Sequence, residues 1–189
     1  MKKKQWLGLI VAVVMSFCGL AACSRDRGVE AAREDQPPSV TPAEQDFMMK
    51  TTQVDLAETQ MARIALQKST NNDVKDYANM ILSDHTDALE DLTELMKNKN
   101  VPQPNTMDVE IQRDISRMSD LTGPDFDREF MNMMVTDHQN ALEMFRDQEA
   151  IAQNPDVKDY VEDLIPKLEM HLDKARRLQS KLFSAPNKP

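Results

Sequence analysis

The pentapeptide Asp-Val-Lys-Asp-Tyr occurs twice in this chain, at residues 73–77 and again at residues 156–160. The copies are 83 residues apart, and several flanking residues match at the same offset: Phe47 with Phe130, Met48 with Met131, Met61 with Met144, Arg63 with Arg146, Asn71 with Asn154, Leu89 with Leu172 and Leu95 with Leu178. A shared pentapeptide with in-register matches on both sides indicates an internal duplication.

Each copy of the pentapeptide begins the second helix of a predicted helix pair. Apolar residues recur at i, i+3 and i+4, which predicts helices over about 43–68 and 73–97, a third from about 124 and a fourth from about 155. Thr41-Pro42-Ala43-Glu44 has the pattern of a capping box with proline at the first helical position. The same apolar spacing between Pro104 and Gly123 predicts a short crossover helix.

These elements predict an all-α fold. Two hairpins of about 52 residues each, joined by a long crossover, are typical of a ferritin-like four-helix bundle rather than of a simple up-down bundle. We place this duplicated-hairpin bundle at residues 44–183.

The N-terminus has the pattern of an export signal. Lys2, Lys3 and Lys4 precede an uncharged apolar run that ends in Leu20-Ala21-Ala22-Cys23. These last four residues resemble the bacterial lipobox, whose cysteine becomes lipid-modified and then begins the mature chain. Residues 1–22 are therefore predicted to be a lipoprotein signal peptide and Cys23 the lipidated residue. An uncleaved anchor helix over residues 5–22 is the alternative.

The segments that flank the predicted bundle are polar. After Cys23, residues 24–43 are charged and proline-containing, which predicts a flexible tether, and residues 184–189 read as a disordered tail. The protein is thus expected to be a periplasm-facing lipoprotein whose membrane contact is its lipid anchor. Ser24 favours outer-membrane sorting, by analogy with lipoproteins that carry aspartate there and stay in the inner membrane.

Charge and cysteine content exclude several functions. The net charge is −9, which argues against nucleic-acid binding, because that function needs clustered lysine and arginine. Cys18 leaves with the signal and Cys23 takes the lipid, so the folded part has no thiolate ligand and no disulfide.

All three histidines of the chain fall on the apolar stripes of their helices, near the helix middles. They are His85 in the second helix, His138 in the third and His171 in the fourth. Glu58 lies at a comparable height in the first helix. Because mid-helix positions of an antiparallel bundle meet at one level, these four residues are expected to form one polar layer.

Two interpretations of this layer stay open. Imidazole and carboxylate suit a divalent Zn, Cu or Fe ion, which predicts a three-His, one-Glu site with Asp84 and Asp137 as outer acceptors. Alternatively, Glu58 pairs with a protonated histidine and the layer only fixes helix register. The Glu-x-x-His motifs of di-iron bundles are absent, which disfavours ferritin-type iron oxidation.

Methionines cluster near the predicted starts of the first and third helices, at Met48, Met49, Met131, Met133 and Met134. Thioethers select Cu(I), but methionine is more often an adaptable core residue. No Ser-His-Asp pattern, Cys-His pair or glycine-rich phosphate loop is present, so binding or sensing is favoured over catalysis. The alternative function is a structural module of the cell envelope that contacts an envelope protein.

Several of these segments resemble a known family. Phe47 through the Asp84-His85 pair, Gly123-Pro-Asp-Phe-Asp127, Asp137-His138 and residues 166–171 are similar to the bacterial ferritin-like family called domain of unknown function 4142. The likeness covers about residues 46–182. It implies an exported four-helix bundle, often lipid-anchored, and brings no established activity.

A second likeness concerns one helix. Residues 134–144 resemble the Met…His-His-Gln-x-Ala…Met helix of domain of unknown function 305, a family that includes periplasmic copper binders. Asp137 stands where that pattern has the first histidine of its pair, so this chain lacks one ligand of the copper pattern.

Overall fold

The computed structural model describes residues 39–184, which form five helices: α1 (Pro42–Lys68), α2 (Asn72–Asn98), α3 (Val109–Asp120), α4 (Gly123–Ile151) and α5 (Pro155–Ser184). No strand occurs within this range. The predicted all-α class is confirmed, and α3 is the predicted crossover helix. The predicted signal peptide, Cys23, most of the tether and nearly all of the tail lie outside the described residues.

Contacts at the helix ends show how the four long helices run. Phe47 at the start of α1 packs against Phe145 near the end of α4, with ring centroids 4.9 Å apart. At the opposite end, the Lys68 ammonium lies 5.8 Å from the ring centre of Phe126. The helices α1 and α4 are therefore antiparallel.

The other cross-hairpin pair, α2 and α5, is also antiparallel. Lys99, which follows α2, pairs with Asp156 in the first turn of α5. Lys181 near the end of α5 pairs with Asp73 at the start of α2. Residues 99–122, which include α3, must then carry the chain from one end of the bundle to the other. One long crossover is the connectivity of ferritin-like bundles, while the duplicated origin of the hairpins stays a prediction.

The predicted capping box is present and has a second role. The Thr41 N–H donates to Glu44 Oε2 at 2.6 Å, and the Glu44 N–H donates to Thr41 Oγ1 at 3.2 Å. Glu44 Oε1 accepts the N–H groups of Gln153 and Asn154 in the turn between α4 and α5. Burial alone would raise the pKa of Glu44, but these backbone donors outweigh it and lower the pKa. One buried carboxylate thus ties the start of α1 to the other hairpin.

The core consists mainly of aliphatic residues, methionine and phenylalanine. Met48, Met131 and Met134 are fully buried, whereas Met49 is 37% exposed. The buried three therefore pack as core residues. Across residues 39–184, no helix has the length and apolar character needed to cross a membrane.

Candidate metal centre

The four predicted layer residues come together in the middle of the bundle, one from each long helix. Glu58 lies on α1, His85 on α2, His138 on α4 and His171 on α5. None is more than 5% exposed. The centroids of the three imidazole rings are 5.2–5.6 Å apart.

Hydrogen bonds fix which nitrogens of His138 and His171 carry protons. His138 Nδ1 lies 2.9 Å from the carbonyl oxygen of Met134, which can only accept, so Nδ1 is the donor. His171 Nε2 lies 2.8 Å from Asp84 Oδ2, so Nε2 donates to that carboxylate. In two neutral rings, the remaining nitrogens both carry lone pairs. These two nitrogens, His138 Nε2 and His171 Nδ1, face each other at 3.2 Å.

His85 lies between two carboxylates of α1. Its Nδ1 is 2.8 Å from Asp55 Oδ1, and its Nε2 is 2.9 Å from Glu58 Oε2. Asp55 is only 3% exposed and was missed by the sequence reasoning. Two features of the sequence point to Asp55. It lies one helical turn before Glu58, and at the 83-residue offset of the internal repeat it corresponds to His138.

Several oxygens of the buried carboxylates lack a well-aligned hydrogen-bond donor. Neither Glu58 oxygen, nor Asp55 Oδ2, takes part in a well-aligned hydrogen bond within the described residues. Glu58 Oε1 lies 3.5 Å from His138 Nδ1, whose proton points to the Met134 carbonyl. Buried carboxylate oxygens without donors are costly, so they favour a cation beside them.

The pKa values of the layer divide it into one charged pair and two neutral rings. Burial lowers the pKa of His85, but Glu58 and Asp55 outweigh burial and raise it to about 10. Burial raises the pKa of Glu58, but His138 and His85 outweigh it and lower it to about 2. Burial dominates at His171, whose pKa falls to about 4, and it also lowers the pKa of His138.

The two predicted outer acceptors have different positions. Asp84 accepts from His171, as described above. Among the described residues, no hydrogen bond joins Asp137 to a histidine. Asp137 instead lines a cavity next to Glu58. Burial, together with the charges of Glu58 and Asp114, raises its pKa to about 7.

Residues 29–178 match the model of the family described as domain of unknown function (DUF4142). The chain belongs to the DUF4142 family. No curated protein matches it.

Solved structures show the same fold as this DUF4142 chain. A DUF305 fragment from Deinococcus radiodurans aligns with a TM-score of 0.69 and 17% identity, over 76% of this chain and 99% of that one. A DUF305 protein from Streptomyces coelicolor, described as secreted, aligns with a TM-score of 0.66 and 10% identity, over 78% and 96%. CopM in its Cu(I)-bound form aligns with a TM-score of 0.63 and 21% identity, over 75% and 98%. At these identities the likeness shows the helical fold alone.

The ligand set of the DUF4142 chain fits a metal ion. Each histidine offers one ring nitrogen, and the three nitrogens lie within 4.8 Å of one another. Two imidazole nitrogens about 2.0–2.1 Å from a tetrahedral ion are roughly 3.3 Å apart, close to the 3.2 Å between His138 Nε2 and His171 Nδ1. The other nitrogen of each ring lies against an outer oxygen of Met134, Asp84 or Asp55. Metal-binding histidines typically have such an outer acceptor.

We expect the metal-free DUF4142 protein to have a broad stability maximum between about pH 4.5 and 6.5, the ordinary pKa values of glutamate and histidine. The raised pKa of His85 contributes stability below pH 6.5, and this contribution is lost as the pH rises towards about 10. Between pH 6.5 and about 4, the lowered pKa of His171 and the raised pKa of Asp137 act in opposite directions, so the free energy of unfolding changes little. The lowered pKa of Glu58 contributes stability above pH 4.5, and this contribution is lost as the pH falls towards about 2.

Urea unfolding with a chelator present, at several pH values, measures this profile. The urea midpoint should fall on both sides of the maximum. A midpoint that rises steadily from pH 6.5 to pH 9 would contradict the raised pKa of His85.

Proposed function

We propose that this DUF4142 protein binds one divalent transition-metal ion between its four long helices, through His85, His138, His171 and Glu58. The observation that carries the proposal is the facing pair of His138 and His171 nitrogens, 3.2 Å apart. Because the outer nitrogens donate to Met134 and Asp84, the facing nitrogens both carry lone pairs in neutral rings. A cation between them removes the repulsion between the lone pairs.

The donor set supports Zn²⁺, Cu²⁺ or Fe²⁺. Imidazole and carboxylate are borderline and hard ligands, whereas Cu(I) prefers thioether and thiolate sulfur. CopM, which has the same fold, was solved with Cu(I), and this supports a metal-related role for the fold. Four protein ligands fill a tetrahedral site, an arrangement found where the metal is held rather than used in catalysis. We therefore propose binding or sensing of the ion.

We also propose that the site faces the periplasm on a membrane-anchored lipoprotein. The support is the basic and apolar segment that precedes Cys23. The structurally similar Streptomyces coelicolor protein is described as secreted, which agrees with an exported location. Ser24 favours the outer membrane over the inner one.

The test is metal binding by the purified protein, with the His138→Gln variant as the comparison. Zn²⁺, Cu²⁺ and anaerobic Fe²⁺ are each added after chelator treatment, and bound metal and thermal melting are measured. One equivalent of the preferred ion should bind. At an ion concentration 100 times the dissociation constant it should stabilise the fold by about 2.7 kcal/mol. The His138→Gln variant should lose this stabilisation, because only two of the three imidazole ligands remain.

The control for this experiment is Gln139→Ala, which changes the exposed neighbour of His138. This variant should respond to the ion as the wild type does. If neither the wild type nor the control binds any of the three ions, the metal proposal is wrong. The second candidate, a polar layer in an envelope interaction module, would then stand, since His85 already pairs with Asp55 and Glu58 without a metal ion.

A further inference from the structure

A cavity of about 210 Å³ lies between α1, α3 and α4. Most of its wall is apolar and includes Val54, Ile111, Ile115, Met133 and Met144. Its lining also contains three carboxylates, whereas no lysine, arginine or histidine of the described range lines it. A cavity with apolar walls and only negative charges concentrates cations.

The three carboxylates lie at increasing depth. The side chain of Asp114 on α3 is 50% exposed, and its partner Arg117 is 78% exposed. Asp137 on α4 is partly buried. Glu58 is 1% exposed. The carboxylates thus extend from solvent to one of the proposed metal ligands. The Asp114–Arg117 pair is a surface pair, which binds weakly and opens readily.

Glu58 connects this cavity to the histidines. It lines the cavity, it lies 2.9 Å from His85 Nε2, and neither of its oxygens has a well-aligned donor. A second cavity is lined by His85 and His171, but its volume is about 20 Å³, about one water molecule. The larger cavity is therefore the wider approach to the histidine layer.

We propose that the cavity under α3 is the route by which a divalent cation reaches the buried histidines, with Asp114 and Asp137 as the carboxylates that carry it to Glu58. This inference rests on the proposed metal-binding function and adds the path of the ion. The carboxylates attract the hydrated ion at the mouth of the cavity and replace its water ligands one at a time. The ion then reaches Glu58, which passes it to the three imidazoles.

The first test compares two double variants in the rate of Zn²⁺ uptake. Asp114→Asn/Asp137→Asn removes the two carrier carboxylates. Glu143→Gln/Asp147→Asn replaces the same number of carboxylates at exposed positions of α4 outside this cavity. Stopped-flow mixing with Zn²⁺ and a colour-forming chelator gives the rates. We expect uptake to be about ten-fold slower in the first variant at low ionic strength and unchanged in the second. The difference should shrink as salt is added.

The second test fills the cavity instead of changing its charge. Ala57→Leu adds apolar volume at a lining residue directly before Glu58. If the cavity is the route, uptake and release of Zn²⁺ should slow by the same factor while the dissociation constant stays unchanged. Thermal melting of the metal-free variant checks that it is folded.

The outcomes separate this inference from the function on which it rests. Zn²⁺ that binds the wild type but exchanges at unchanged rates in both test variants would overturn the route and leave the metal site standing. Equal slowing in the two charge variants would also overturn it, because net charge alone would then control uptake. A wild type that binds no ion would overturn both proposals.

Discussion

Metal-free protein that carries Glu58→Gln is expected to have a free energy of unfolding about 3–5 kcal/mol lower than that of the wild type. Glu58 is 1% exposed and lies 2.9 Å from His85 Nε2. Its charge contributes most to the raised pKa of His85. Removal of that charge leaves a buried imidazolium beside Asp55, whose own pKa is raised by burial. Urea unfolding at pH 6.5 with a chelator present measures the difference.

The matched control is Glu143→Gln, the same substitution at an exposed position of α4. It should change the free energy of unfolding by no more than about 0.5 kcal/mol. The pKa of His85, followed by NMR, gives an independent measurement, and it should fall in the Glu58→Gln variant. If this variant unfolds within about 1 kcal/mol of the wild type, His85 and Glu58 do not form a stabilising ion pair.

The fold was largely predictable because each long helix has an apolar stripe and clear ends. Thr41 and Glu44 predicted the start of α1, and the structure shows both capping bonds. The second role of Glu44, as acceptor of the Gln153 and Asn154 N–H groups, was not predictable. It depends on which helix end lies next to α1, and spacing within one helix carries no information on that.

The central layer was predicted from the heights of His85, His138, His171 and Glu58 along their helices. Height and stripe together fix where a side chain lies in an antiparallel bundle, and the structure brings these four together. Asp55 was missed because an aspartate on a helix usually faces solvent. The sequence shows that Asp55 corresponds to His138 in the internal repeat. It does not show which side chain of a neighbouring helix Asp55 contacts.

Asp84 and Asp137 show where prediction from the sequence ends. Each directly precedes a histidine, so the sequence treats them alike. In the structure Asp84 points across to His171 on α5, while Asp137 lines the cavity under α3. The apolar stripe of a helix shows on which side of that helix a residue lies. Whether a histidine or a cavity lies beside it depends on the arrangement of the neighbouring helices.

The double variant Asp55→Asn/Asp84→Asn is expected to bind the preferred ion about 10²–10⁴-fold more weakly than the wild type. Removal of the outer partner of a metal-binding histidine typically costs 10–100-fold in affinity, and these two act on different rings. The carboxylates hold the protons of His85 Nδ1 and His171 Nε2 and so keep the opposite nitrogens free for the ion. Equilibrium competition with a chelator of known affinity measures the loss.

Comparison with the single variants and a charge-matched control decides whether orientation or charge causes this loss. Asp46→Asn/Asp87→Asn removes one exposed carboxylate each from α1 and α2 and should keep wild-type affinity. Each single variant should lose about 10–100-fold, and the two losses should multiply if the rings are oriented independently. His138 donates to the main-chain carbonyl of Met134, so its orientation survives every one of these substitutions. A double variant that binds as tightly as its control would show that Asp55 and Asp84 do not orient metal ligands.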